Sequence, residues 1–123
     1  MRNKRNVVVL GASDNPERFS HRAVKKLSGL GFPVIPVHPE LDSVLGFRVI
    51  PSLSMIKDEV DTITVYLSPK RSGTLIDSII ALKPKKVVLN PGAENPELEK
   101  ALDAAGIPWI HACTLVLLDT GHF

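Results

Sequence analysis

A doubly wound α/β domain, with a mainly parallel sheet flanked by helices, is the fold class this sequence predicts. Short β-branched runs alternate with segments of helical periodicity along the chain. No long linker, internal repeat or break in composition divides them, so one domain over residues 1–123 is expected. Small residues, prolines and hydroxyls follow the apolar runs, which is where such folds keep their ligand loops.

Taken in order, Val7-Val8-Val9-Leu10 reads as a buried strand, because four consecutive apolar residues leave no face for water. Ala23, Val24, Leu27 and Leu30 recur at helical spacing from near Ser20, and Gly31 is a natural stop. Val34 to Val37 reads as a second strand, although Pro36 removes a ladder donor. Phe47 to Ile50 predicts a short strand and Ser52 to Ile56 a short helix. Thr62 to Leu67 is the clearest strand. A helix over Arg71 to Leu82 follows it, burying Leu75, Ile76, Ile79, Ile80 and Leu82. Lys86 to Leu89 is another central strand. Asn95-Pro96-Glu97 opens a further helix: Asn caps, Pro takes the first helical position, and Glu favours the positive end of the dipole. It runs to Ala105 and stops at Gly106. Trp109 to His111 gives the last strand, and Thr114 to Leu118 a short helix or an apolar edge segment.

Composition narrows the function classes. A chain of 123 residues with 44% apolar content can bury a core without disulfides or metal. The formal net charge of +2 comes from scattered Lys and Arg, which points away from nucleic acid and membrane surfaces. Arg2, Lys4 and Arg5 are expected to keep the N-terminus solvated. The single cysteine, Cys113, allows no disulfide within the chain and suits a reducing compartment, so a cytoplasmic location is expected. His21, His38, His111 and His122 lack ligand spacing, and no metal is expected. No apolar run approaches a membrane span, and no leader is seen before the first strand.

The loop from Ala12 to Phe19 is longer than a strand-to-helix turn needs. A side chain at Gly11 would block close approach of a phosphate to the backbone, and a positive φ is expected there. Free N–H groups in the loop, the helix start near Ser20, the Arg18 and Arg22 charges and the Ser13 and Ser20 hydroxyls would together cradle an anion. The plainer reading is that strand-to-helix connections in such folds often carry a glycine. A dinucleotide fingerprint, G-x-G-x-x-G, is not met: Gly11 begins Gly-Ala-Ser-Asp-Asn-Pro. His38-Pro39 stands where a dehydrogenase would place its acidic residue, with Glu40 just beyond. A nicotinamide cofactor is therefore disfavoured.

These departures fit a particular pattern. "VVVLGASDNPERFSHRAVKKL", "GFPVIPVHPELDSVLGFRVIPSLSMI", "VDTITVYLSPKRSGTLIDSI" and "KPKKVVLNPGAENPELEKALDAAGIPWI" resemble, in order, the CoA-binding domain family. This is the Rossmann-like domain of the succinyl-CoA synthetase alpha subunit, also found as small stand-alone bacterial proteins. The resemblance spans about Asn6 to Cys113 and implies CoA or an acyl-CoA as ligand. It implies that Gly11, Ala12, Ser13 and Asn15, with Arg18 in the same loop, meet the pyrophosphate end, and that His38 and Pro39 border the adenosine. Ser68, Pro69 and Arg71 would lie near the nucleotide and pantetheine arm, Asn90, Pro91 and Gly92 along the pantetheine path, and Cys113 near the thiol end. Ser20 joins the phosphate-binding set from the loop reading. Where the synthetases carry a lysine after the His38-Pro39 turn, this chain has Leu41, so phosphate charge must come from Arg18 or Arg71. The synthetases' ligase chemistry resides in a second domain and a partner subunit, so the resemblance implies binding without catalysis.

Other readings stay open at this point. An NAD(P)- or adenine-nucleotide-responsive regulator is one, and a scaffold with a vestigial pocket is another; a protein partner is unspecified in either. Cys113 could exchange with the CoA thiol or be a small buried residue. On a strand, His111 would share its face, but no third orienting group suggests a Cys-His hydrolase. His21 could face phosphate or solvent. His122 is expected to be disordered, Trp109 and Phe32 to be core, and Lys83, Lys85 and Lys86 to form a solvated loop. Asp61 and Asp77 lack the paired carboxylate that acid–base hydrolysis needs.

Overall fold

The computed structural model describes residues 5–123, so Arg2 and Lys4 lie outside the described residues. In chain order the elements are β1 (Val7–Leu10), α1 (Phe19–Gly29), β2 (Val34–Val37), β3 (Ser43–Val44), β4 (Phe47–Arg48), β5 (Thr62–Val65), α2 (Pro69–Ser72), α3 (Ile76–Ala81), β6 (Lys86–Leu89), α4 (Pro96–Ala104), β7 (Trp109–His111) and α5 (Thr114–Asp119). Five strands form one parallel sheet in the order β2-β1-β5-β6-β7, and β3 and β4 form a separate antiparallel pair. The expected doubly wound sheet is therefore present.

Alternation along the strands builds a core on each face. Val7 and Val9 pack with Ala23, Val24 and Leu27 of α1, with Leu115 and Leu118 of α5 at the margin. Val8 and Leu10 point the other way, joining Ile79 of α3 and Leu98 and Leu102 of α4. Both faces of β1, β5 and most of β6 are covered, which is why β1 and Val87 to Leu89 of β6 read as apolar runs and β5, Thr-Ile-Thr-Val, as β-branched throughout.

Pro36 is tolerated because β2 is an edge strand. Its carbonyl accepts from Ile50 N at 2.9 Å on the outer side, so the missing N–H costs no bond to β1. His38 N donates back to Ile50 O at 3.2 Å, and Val37 and Ile50 form an isolated bridge that closes this edge.

Four expectations are corrected. The Phe47–Ile50 strand shrinks to β4, paired with β3 around Leu45 (φ +51°) and Gly46 (φ +83°), two left-handed residues that make a tight hairpin turn. The Ser52–Ile56 helix is a single 3-10 turn, Leu53–Met55, capped by the Ser52 hydroxyl. The Arg71–Leu82 helix is two pieces that begin at Pro69 and break after Ser72. There Thr74 N and Leu75 N bond back three residues, and the Thr74 hydroxyl donates to Arg71 O at 2.8 Å, diverting that carbonyl from a regular helix. Of its five expected core residues only Ile79 is fully buried. Finally, the tail is ordered: His122 N donates to Leu117 O at 2.8 Å, and the Phe123 ring meets Phe32 edge-on at 5.5 Å.

Two basic residues expected in water are held instead. Arg5 donates to Asp61 and to Phe123 O, both at 3.2 Å, and its guanidinium lies 5.2 Å and 5.3 Å from the Phe32 and Phe123 rings. Lys86 Nζ sits 4.6 Å from the Phe123 ring. The α4 cap is as predicted, with Asn95 Oδ1 accepting from Glu97 N and Leu98 N. Among the described residues no helix is long and apolar enough to cross a membrane.

Candidate functional site

The strand order reverses between β1 and β5: the chain runs from β1 out to β2, then crosses back past β1 to β5 on its other side. At such a switch point adjacent loops diverge and leave a crevice beyond the carboxyl ends. A cleft of about 600 Å³ opens there, lined by the ends of β1, β2, β5 and β6 and by the start of α1.

Gly11 turns the chain at the floor. Its φ of +91° suits glycine, and a Cβ would lie 2.9 Å from Leu67 Cδ2. The glycine is thus required by backbone conformation and by a neighbouring leucine rather than by a phosphate alone. Gly11 N and Ala12 N both donate to Val37 O at 3.1 Å, so these two amides are committed within the fold. The loop beyond is self-braced: Asn15 N donates to Ser13 Oγ, Glu17 N to Asn15 Oδ1 and Arg18 N to Asn15 O, each at 3.0 Å. Ser13 therefore accepts within the loop and keeps its own O–H to donate.

That bracing leaves a set of donors without acceptors. Among the described residues, the N–H groups of Ser13, Asp14, Phe19, Ser20 and His21 find none within the fold. The last three open α1, whose cap residue Arg18 supplies no side-chain bond and whose first turn holds no acidic residue. The positive end of this 11-residue helix thus faces the cleft with neither a side-chain cap nor a first-turn carboxylate against it. Arg18 and Arg71 line the cleft and make no ion pair among the described residues. Arg22 instead lies over the Phe19 ring at 5.4 Å, outside the lining. The Asp14 carboxylate, at the rim, partly offsets this positive field.

Of the sequence-predicted residues, Gly11, Ala12, Ser13, Arg18, Ser20, His38, Pro39, Arg71 and Pro91 line the cleft together. His38 Nδ1 accepts from Glu40 N at 3.0 Å and Leu41 N at 3.2 Å, so the ring proton sits on Nε2 and the imidazole stiffens its loop. Asn15 braces the opening loop from outside. Ser68 and Pro69 are exposed at the start of α2, and Gly92 N is held by Glu94 Oε1 at 2.9 Å; none of the three lines the cleft.

Asn90 turns inward. Its side-chain N–H groups donate to Thr64 Oγ1 at 2.7 Å and Val65 O at 2.9 Å, while its Oδ1 accepts from Thr114 N at 2.8 Å. It therefore pins β5, β6 and α5 together behind the wall. Cys113 is the N-cap of α5 and half-buried, not on a strand with His111, whose Nε2 lies 2.7 Å from Glu99 Oε2. His21 is buried on α1, away from solvent and outside the lining.

The sequence reading missed Phe19, Leu41, Leu53, Tyr66, Leu67 and Leu75, which together with Leu10, Val37 and Pro51 supply much of the apolar lining. Tyr66 and Leu67 directly follow β5, so the carboxyl-end rule could have found them. Leu53 and Leu75 carry no signal that separates a pocket wall from core.

Fold and cleft together define a Rossmann-like α/β domain with a ligand crevice at its switch point. The chain belongs to the CoA binding domain family, whose description matches residues 5–119. An uncharacterized protein of Bacillus subtilis (strain 168), YneT, is 38% identical over 65 residues, 53% of this chain and 47% of that one. The match thus spans about half the length of that relative. A crystal structure of an uncharacterized protein, 37% identical, superposes with a TM-score of 0.92 over 99% of this chain and 100% of the other. The dinucleotide-forming acetyl-coenzyme A synthetase 1 of Ca. Korarchaeum cryptofilum, in complex with phosphate and ADP, shares the fold. It is 22% identical, with a TM-score of 0.77 over 89% of this chain and 26% of that one.

Proposed function

We propose that this protein binds coenzyme A or an acyl-CoA in the β1/β5 cleft and holds it without transforming it. The observation that carries the reading is the convergence of unsatisfied N–H donors and two unpaired arginines on one crevice, in a chain of the CoA binding domain family. In this reading the Ser13, Asp14 and α1 amides take the diphosphate, and Arg18 and Arg71 add full charge where family relatives use a lysine. The His38-Pro39 loop borders the adenosine. The leucines of the far wall take the less polar arm. Among the described residues no group of three His, Cys, Asp or Glu side chains is placed to share a metal ion. Cys113, a free thiol, suits the reducing cytoplasm.

Calorimetry with CoA, ATP and NAD at matched salt tests the reading. Binding of CoA is expected, with affinity falling as salt rises because the donors are partly ionic. Binding of NAD with no response to CoA would overturn it in favour of a nicotinamide-responsive regulator. Turnover of an acyl-CoA by the purified protein would overturn the non-catalytic part alone.

A further inference from the structure

The two edges of the sheet are finished differently. β2 is closed by Pro36 and by the Ile50 backbone, whereas β7 ends the sheet with no strand beyond it among the described residues. The ladder to β6 fixes which groups are left over. Val87 N donates to Pro108 O at 2.9 Å and Ala112 N to Leu89 O at 3.1 Å, so Pro108, Ile110 and Ala112 turn their backbone polar groups toward β6. Trp109 and His111 turn theirs outward, and among the described residues neither their N–H groups nor their carbonyls find a partner there.

Free sheet edges are commonly blunted by lysine, proline or a bulge. β7 has none of these: its register with β6 is unbroken and its residues are Trp, Ile and His. It carries instead an isoleucine that is 47% exposed, in register with the fully buried Val88.

We infer that β7 is the docking edge for a second copy of this chain, which adds antiparallel about a two-fold axis through Ile110. In that register Trp109 of each copy pairs with His111 of the other, and every outward N–H and carbonyl of the two strands is bonded with none left over. Ile110 at the centre is covered by the same residue of the other copy. The Trp109 and His111 rings already lie 5.1 Å apart within one chain, and the axis extends them to four on one face of the sheet. The Trp109 indole donates to Asp103 at 2.8 Å, so the imidazole of one copy approaches a ring whose carboxylate partner complements it.

The closed β2 edge decides which assembly forms. Joining β7 to β2 head to tail would build an open filament; with β2 closed, the contact is between like edges and stops at two copies. Because the strands of the second copy run the other way, the two clefts open at opposite ends of the joined sheet.

Sedimentation velocity over a concentration series tests the proposal. The strip is short, so a weak dimer is expected, half-formed at about 10–100 µM. Ile110→Lys places a charge at an exposed edge position and should raise the dissociation constant at least about tenfold, with the urea midpoint unchanged. A protein that stays monomeric up to about 1 mM, or a dimer as tight in Ile110→Lys, overturns the proposal. The register has its own test, in a Cys113→Ser background that removes the native thiol. Opposed residues at such an axis have Cα atoms about 4.5 Å apart, within disulfide reach, so Ile110→Cys is expected to give a covalent dimer on mild oxidation. Val116→Cys, at a position 56% exposed on α5, is the control. Cross-linking no faster at 110 than at 116 puts the contact elsewhere and overturns the inference, and this readout does not depend on the lysine variant folding.

Discussion

The two ends of the sheet use arginine in opposite ways. At the amino-terminal end, Arg5 is consumed: Asp61, the Phe123 carbonyl and two aromatic rings occupy its guanidinium, and Lys86 shares the Phe123 ring. At the carboxyl end, Arg18 and Arg71 face a cleft and have no ion-pair partner among the described residues. The same contrast holds for the backbone. The strand starts are tied by bonds such as Val7 N to Pro33 O and Asp61 N to Asn6 O, whereas the N–H groups of Ser13, Asp14, Phe19 and Ser20, which line the cleft, find no acceptor among the described residues. Cations and amides that satisfy each other build structure; those that converge without partners are available to a ligand.

Substitutions can break or sharpen that contrast. Gly11→Val has the largest expected effect, because Gly11 lies at the cleft floor and is also required by the fold. A branched side chain at φ +91°, against Leu67 at 2.9 Å, should cost about 3 kcal/mol in urea unfolding and abolish CoA binding. Asn90→Leu comes next. Leaving Thr114 N–H and the Thr64–Thr114 pair without their buried partner should cost about 2–3 kcal/mol, with affinity falling only as the wall loosens.

The arginines then test the comparison directly. Arg18→Ala and Arg71→Ala should each weaken CoA binding about tenfold while leaving the unfolding midpoint unchanged. Arg5→Ala should do the reverse, lowering stability by about 1 kcal/mol and leaving the calorimetric affinity intact. An equal effect of all three on stability would erase the distinction.

The smallest effect is a pH dependence. Burial would raise the Asp61 carboxyl, but the hydrogen bonds from Thr62 and Arg5 and the charges of Arg5 and Lys86 outweigh it, holding the group below its ordinary 3.8. Its stabilisation is therefore fully present above that value and is lost as pH falls through the lower, folded one. Urea midpoints measured from pH 5 down to pH 2.5 should show this loss in the wild type, and Asp61→Asn should flatten that part of the curve.

Most of the frame was legible because each signal was local. Apolar or β-branched runs marked β1, β5 and β6, and Asn95-Pro96-Glu97 marked a helix start that the structure caps as expected. Of the β3–β4 hairpin only β4 was legible, inside the longer Phe47 to Ile50 run; β3 was not, since a two-residue strand has no periodicity to read. The break after Ser72 depends on a threonine hydroxyl competing for a carbonyl, which an apolar pattern does not register. In the site, the opening loop could be read because its residue types are unusual for a turn. Asn90 could not be placed, because a polar residue after a strand serves equally to meet a ligand or to knit three elements from behind. Leu53 and Leu75 come to the cleft only through tertiary packing, and in sequence they are indistinguishable from interior leucines.

Pro36 and Ile50 have a consequence for association. The outer side of β2 already has its carbonyl taken and offers no amide at Pro36, so another chain cannot extend the sheet there. The β7 edge at the other side of the five-stranded sheet, three residues long and carrying the exposed Ile110, has no such cover at its margin among the described residues.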